Sequence, residues 1–573
     1  MNFQKIITYA ALPLFALGAL GALSSCTTSN PTYVDDMSPD AKLFGEYLAG
    51  SYANYLDDAP ARSEYLSRAF SRAQDDLSLG RRALSFALTA GETDLARTLA
   101  MELHQTHPQE PMARAVLGER ALSKGQYAKA LEYFKEPTED LTMLILMQLM
   151  QGWAHVGAGD SEAAKITFEN IGGGQYFEAI GALEIAKKHA LEGDIDAALK
   201  GFSDVEDVQV SGVETALSIT RAKSQSGDIE GALEYIQKFS DENGQFETGP
   251  VRSYLETLKS GQALGEKLTV QQEASRALTE PAVGFFAMNR AFDASEVFLR
   301  LALSLDPEHD KARLWLGSLL ENSDRSDEAM EVYNSISDAS DYVVSGRLAS
   351  ANLFFERDED KAAMALLEDV HAKHPSFITR EALGRARLVR ENYEEALPIY
   401  DALVKSLTDE EIRQNPQPLY FRAICYERTK QFDLAVKDFK RVLEINPDDA
   451  DTLNYLGYTW VDRGENLTEA FQMIRRAVEL EPQSGAIVDS LGWAHYKLGQ
   501  YSEAKDKLED AVALSPASAT IVDHLGDVYW KLGRKREARY QWERALSFDP
   551  TDDERASIRV KLKSGLGTQA YSP

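Results

Sequence analysis

Residues 118–134 read GERALSKGQYAKALEYF, and the break inside them decides the fold. Helix-favouring residues run up to Lys124, Gly125 interrupts them, and a second helical pattern starts at Tyr127. Glycine can adopt φ > 0 and so end the first helix. Ala130 is small enough to let two antiparallel helices approach closely. Phe134 follows one turn later on the same face. The stretch predicts a helix-turn-helix that buries Ala130 and Phe134 together.

Outward from that unit, Gly91, Gly125, Gly159, Gly193 and Gly227 stand 34 residues apart. Ala96, Ala130, Ala164, Ala198 and Ala232 keep the same step, five residues after each glycine. Ala100, Phe134, Phe168, Phe202 and Ile236 follow four residues later again. Alanine is common, so one column would mean little. Three interlocked columns at one period mean a linear array of one supersecondary unit. A single unit cannot bury its apolar face alone, so neighbours must stack.

The C-terminal quarter carries the fullest version of the pattern. Leu491-Gly492, Leu498-Gly499, Ala504, Leu508, Ala511 and Pro516 form one motif. Leu525-Gly526, Tyr529, Leu532-Gly533, Ala538, Trp542, Ala545 and Pro550 form the next, 34 residues on. Pro447, Pro482, Pro516 and Pro550 mark the junctions, since proline cannot continue a helix. The chain resembles the tetratricopeptide-repeat (TPR) family. The resemblance implies an all-α, superhelical solenoid of about 14 repeats, beginning near 43, 77, 111, 145, 179, 213, 276, 310, 344, 377, 416, 450, 485 and 519. The expected organisation is an N-terminal array at 42–241, an irregular joint or degenerate repeat at 242–275 with a helix over 251–259, a C-terminal array at 276–550, and a capping helix and tail at 551–573. One connection, at about 406–415, is lengthened by five residues.

In that family the first helices line a groove through the second, fifth, ninth, twelfth and thirteenth positions of each repeat. Carried onto the last four repeats, the resemblance implies a ligand groove that includes Tyr420, Asn454, Tyr458, Asp462, Asp489, Trp493, Tyr496, Asp523, Asp527 and Trp530. Aromatic faces offer contact area at low entropy cost, and carboxylates and an amide fix polar groups. A basic or amide-rich extended peptide fits this composition, and so does a glycan. The family's clamp for C-terminal carboxylates needs lysines and asparagines, whereas this groove is rich in carboxylates.

Formal charge is −30, with the acidic residues dispersed. A field of this sign opposes non-specific binding to nucleic acid or anionic lipid. Residues 1–25 read as a leader: Lys5, then an apolar stretch over 6–23, then Leu23-Ser24-Ser25-Cys26. This resembles a bacterial lipobox, which implies acylation of Cys26 and a flexible tether over 26–41. Thr27 rather than aspartate after the cysteine implies the outer membrane, with the array expected to face the periplasm. Cys425 then stands alone and is expected in the core.

Catalytic signatures are sparse. The chain has no phosphate-binding glycine loop followed by lysine, no C-x-x-C, no H-E-x-x-H and no G-x-S-x-G. His371 and His374 share a helix face, but no further metal ligands stand nearby in sequence. Ser490, His524 and Asp523 suggest a hydrolytic triad, yet Ser490 and His524 occupy equivalent slots of adjacent repeats. The expectation is a non-enzymatic scaffold without cofactor or metal, resembling TPR lipoproteins of Gram-negative bacteria. Its expected partners are envelope proteins or an extended peptide, with a glycan-binding module for cell-wall or exopolysaccharide assembly as the alternative.

Overall fold

The computed structural model describes residues 38–56, 58–206, 212–243, 248–265, 267–287 and 292–566. The leader, Cys26 and all but the last four residues of the expected tether lie outside them. Among the described residues there are 31 α-helices and no strand. No described helix is long and apolar enough to cross a membrane.

Six helical pairs come first: α1 (Pro39–Tyr55) with α2 (Ala59–Arg72), α3 (Leu77–Thr89) with α4 (Thr93–Thr106), α5 (Pro111–Ser123) with α6 (Tyr127–Phe134), α7 (Leu141–Ala158) with α8 (Ser161–Glu169), α9 (Gln175–Glu192) with α10 (Ile195–Glu206), and α11 (Gly212–Gln225) with α12 (Ile229–Asn243). A single helix, α13 (Pro250–Lys259), follows. Four pairs continue: α14 (Val270–Ala287) with α15 (Phe292–Leu305), α16 (Asp310–Asn322) with α17 (Ser326–Asn334), α18 (Val343–Glu356) with α19 (Asp360–Lys373), and α20 (Phe377–Val389) with α21 (Tyr393–Ser406). After the short α22 (Asp409–Gln414) come α23 (Gln417–Arg428) with α24 (Phe432–Ile445), α25 (Ala450–Arg463) with α26 (Leu467–Leu480), α27 (Gly485–Lys497) with α28 (Tyr501–Leu514), and α29 (Ala519–Lys531) with α30 (Lys535–Leu546). The last helix is α31 (Asp552–Ser564). Among the described residues the fold is an all-α repeat solenoid of fourteen pairs.

The three sequence columns have distinct structural jobs. Gly91, Gly125, Gly159, Gly193 and Gly227 all take positive φ, from 69° to 93°, at the turn inside a pair. The five alanines are fully buried, and so are the apolar residues four positions later. Several first helices start about a turn before the sequence pattern does. Asp140 caps α7 through the backbone N–H groups of Thr142 and Met143, at 2.9 and 3.1 Å. Thr269 and Gln272 exchange hydrogen bonds ahead of α14, the reciprocal arrangement of a capping box. The lengthened connection near 406–415 holds α22, started by a Thr408–Glu411 capping box.

The chain divides into two compact units. Unit 1 comprises residues up to 244 together with 253–340, and unit 2 comprises 245–252 together with 341–573. Within unit 1, α14 packs on α7 and α9, and α15 packs on α3 and α5. The later repeat thus lies against the first helices of the earlier ones. Within unit 2, the pairs stack in chain order and α31 closes against α30.

Candidate functional site

In unit 2, α23, α25, α27 and α29 carry the ten groove candidates, one helix per repeat. Tyr420 is half-buried among aromatic rings. Its centroid lies 5.6 Å from that of Phe421, 6.0 Å from Phe439 and 6.4 Å from Tyr455. Asn454 is half-buried, and its Oδ1 is shut off from solvent with no hydrogen-bond donor. Tyr458 is also half-buried; burial, followed by the charges of Asp462 and Asp489, raises its hydroxyl pKa above the ordinary value. Asp462 accepts from Lys497 Nζ at 3.2 Å.

The next two repeats form a tighter cluster. Trp493 stacks nearly parallel on His524, centroids 4.0 Å apart, and on Tyr496, 4.6 Å apart. His524 Nδ1 lies 3.0 Å from Oδ1 and 3.1 Å from Oδ2 of the buried Asp489. Burial alone would lower the imidazole pKa, but the Asp489 charge and hydrogen bond, with Asp523 and Asp527, outweigh it and raise the pKa above 6.5. The Trp493 indole Nε1 is buried and has no acceptor.

The last repeat's candidates are engaged by the chain's own C-terminal helix. Lys561 of α31 donates to Asp523 Oδ2 at 2.6 Å and to Asp527 Oδ2 at 2.8 Å. Burial works against the Lys561 charge, but Asp527 and Asp523 outweigh it and raise the pKa above the ordinary lysine value. Trp542 Nε1 donates to Asp527 Oδ1 at 2.9 Å. Trp530 lies 5.3 Å from Trp542, and a Cβ added at Gly565 would strike its ring. Asp523, Asp527 and Trp530 therefore seat α31, and Asp523 Oδ1 remains buried without a donor.

Two repeats back, the groove deepens into a cavity of about 280 Å³ that includes Leu348, Asn352, Phe355, Ile378, Glu381 and Arg385 in its lining. Sequence reasoning missed these residues because the groove register was carried only onto the last four repeats. The same positions, counted from 344 and 377, fall on all six.

In unit 1, later helices lie against the first helices, and a cavity of about 730 Å³ beside them includes Arg81, Arg82, Met112, Met143 and Asp293 in its lining. Ser304 Oγ of α15 donates to Glu119 of α5 at 2.8 Å, and Arg300 of α15 donates to the Thr89 carbonyl of α3 at 2.9 Å. Gln271 of α14 donates to the Leu122 carbonyl at 3.2 Å. Burial pushes the Glu119 carboxyl up to about 7, opposed by Ser304 and Arg97. Nearby, Lys187 lies 3.0 Å from Glu184 and 3.9 Å from Glu214, and Lys311 lies 3.3 Å from Glu214. Trp153 Nε1 donates to Glu184 at 2.8 Å. These charges join α9, α11 and α16 in the interior of unit 1.

The triad residues do not assemble. Ser490 Oγ donates to the Ala486 carbonyl of its own helix, and His524 pairs with Asp489. His371 Nδ1 lies 2.9 Å from the hydroxyl of Thr379, and the His374 carbonyl accepts from that hydroxyl, so both serve the start of α20. No cluster of three metal-ligating side chains occurs among the described residues. Cys425 is fully buried, and burial pushes its thiol up to about 12.

Tetratricopeptide repeat family models match residues 283–342, 490–553 and 416–449. A TPR repeat-containing protein of Pseudomonas aeruginosa is 27% identical over 199 residues, which are 34% of this chain and 32% of that protein. A CTR9 homologue of Arabidopsis thaliana is 26% identical over 213 residues, 35% of this chain and 19% of that protein. The chain thus spans about a third or less of the length of these two relatives. Among solved structures, a chain of the APC/C hetero-tetramer Cut9-Hcn1 aligns over 92% of this chain and 98% of its own, at 15% identity and a TM-score of 0.36.

Proposed function

This chain is a member of the tetratricopeptide-repeat superfamily, and on that premise we propose that it is a scaffold that grips an extended polypeptide along the groove of unit 2. One observation carries the reading. Asn454 Oδ1 and Trp493 Nε1 are buried, polar and unpartnered on two successive first helices, α25 and α27. An unpaired buried polar group costs about 1–3 kcal/mol. A peptide main chain supplies donors and acceptors at regular intervals and would satisfy both. A glycan would need an open aromatic face, whereas Trp493 has both His524 and Tyr496 stacked on it.

The proposed setting is the bacterial outer membrane, with Cys26 acylated and the repeats in the periplasm. The leader sequence, the position of Cys26 and Thr27 after it support this setting. The scaffold reading is tested by cross-linking in intact cells, followed by recovery of the chain. Asn454→Ala combined with Tyr458→Ala is expected to reduce recovery of the cross-linked protein at least tenfold while helicity stays unchanged. Equal recovery from the folded double variant would remove the groove from the account. Cys26→Ala tests the setting separately, through loss of acyl labelling.

A further inference from the structure

The first helix is built differently from the other first helices. α5 buries nine of its 13 residues, whereas α1 buries only Gly50 and Ala53. The face that a preceding repeat would cover carries Phe44, Leu48, Tyr52, Tyr55 and Leu56, all between 49% and 82% exposed, while Tyr47 turns to Arg82 of α3. Their spacing of three and four residues places them on one side of α1. Aromatic side chains offer about 150–250 Å² each, so several hundred Å² of apolar surface stand open together, more than ordinary soluble surfaces leave uncovered. The C-terminal side shows the usual solution: α31 covers the last repeat with a charged helix that buries Ile558.

We propose that this face of α1 lies in the headgroup–acyl boundary of a lipid bilayer. The inference rests on the Cys26 anchor proposed above. Twelve residues separate Cys26 from Pro39, at most roughly 45 Å of chain. Such a short tether raises the local concentration of bilayer at α1, so weak interfacial affinity suffices, whereas pairing with a second copy has no tether. Charge also permits the approach. Residues 39–82 hold six Lys or Arg and seven Asp or Glu, one net negative charge, in a chain of net −30. The acidic field that repels a membrane surface is carried elsewhere. Tyrosine and phenylalanine suit the boundary, being apolar bodies with, for tyrosine, a polar tip.

The test uses the full chain in phosphatidylcholine vesicles containing brominated acyl chains, which quench tryptophan only at short range. All six native tryptophans lie at or beyond residue 153 and give the baseline. Tyr55→Trp at an exposed position is the reporter. Its chain is expected to float with the vesicles and to be quenched at least twofold more than the parent. Adding Phe44→Ser and Tyr52→Ser is expected to abolish the extra quenching while flotation persists. A chain that floats without extra quenching overturns the contact and leaves the anchor standing; one that does not float overturns both. The mass of the Cys26 peptide reads acylation independently, so quenching without an acyl group retains the contact and rejects the anchor. A doubled sedimentation mass that Phe44→Ser with Tyr52→Ser reduces to the single chain would assign the face to a second copy and overturn the proposal.

Discussion

Asp324, Asp358, Glu391 and Lys430 take φ between 59° and 63° at the turns inside their pairs, where Gly464, Gly499 and Gly533 serve in later repeats. The left-handed region costs a non-glycine residue about 1–2 kcal/mol, and glycine returns part of that through its freer unfolded chain. Glu391→Gly is therefore expected to stabilise unit 2 by about 0.5–1 kcal/mol, seen as a higher urea midpoint with unchanged slope. This strain explains why the glycine column is legible in the sequence as far as Gly227 and then fades: the turn conformation persists after the residue that announces it has gone. His524 offers a second residue-scale test. Its pKa is raised in the folded chain, so the Asp489 pairing stabilises fully below the unfolded value near 6.5 and is lost as pH rises through the folded value. Stability of unit 2 is expected to decline from pH 6 upward through that value, and Asp489→Asn to flatten the decline, as followed by denaturation at stepped pH.

At the scale of elements, α31 shows how a groove residue becomes a docking residue. The sequence read Asp523, Asp527 and Trp530 as groove candidates and expected a capping helix and tail at 551–573. It did not show that the two meet, because nothing in the repeat pattern aims Lys561 at Asp523 and Asp527. Lys561→Met would leave both carboxylates without their shared cation. Removing one partner of a buried pair costs roughly 3 kcal/mol or more. Hydrogen exchange over residues 552–564 is expected to accelerate ahead of the rest of unit 2. Uniform acceleration across α23–α31 would mean that Lys561 holds no separate element. The short α22 makes the same point: five extra residues were visible, but their helical form depends on Thr408 and Glu411 capping each other.

Over the whole molecule, the two units use the same repeat differently. In unit 1, α14 and α15 occupy the groove side of the earlier first helices; in unit 2, Asn454, Tyr458 and Trp493 line helices without such a filling. Glu119 reports on the closure in unit 1. Its folded pKa, about 7, exceeds the ordinary 4.5, so the folded state holds its proton more tightly. Its contribution is flat below about 4.5, grows unfavourable as pH rises to about 7, and is flat again above. Glu119→Gln is expected to remove that decline and raise stability at pH 8 by on the order of 2–3 kcal/mol, measured against the parent at pH 4.5 and 8. The sequence by itself determined the helical pair, its 34-residue period, the buried alanine column and the turn glycines, because these depend on contacts within one repeat and with the next. Only the tertiary structure decided which first helices are met by later ones. Ser304 meets Glu119 across 185 residues and Arg300 meets Thr89 across 211, and a periodic pattern specifies neighbours along the chain without specifying where the stack returns upon itself.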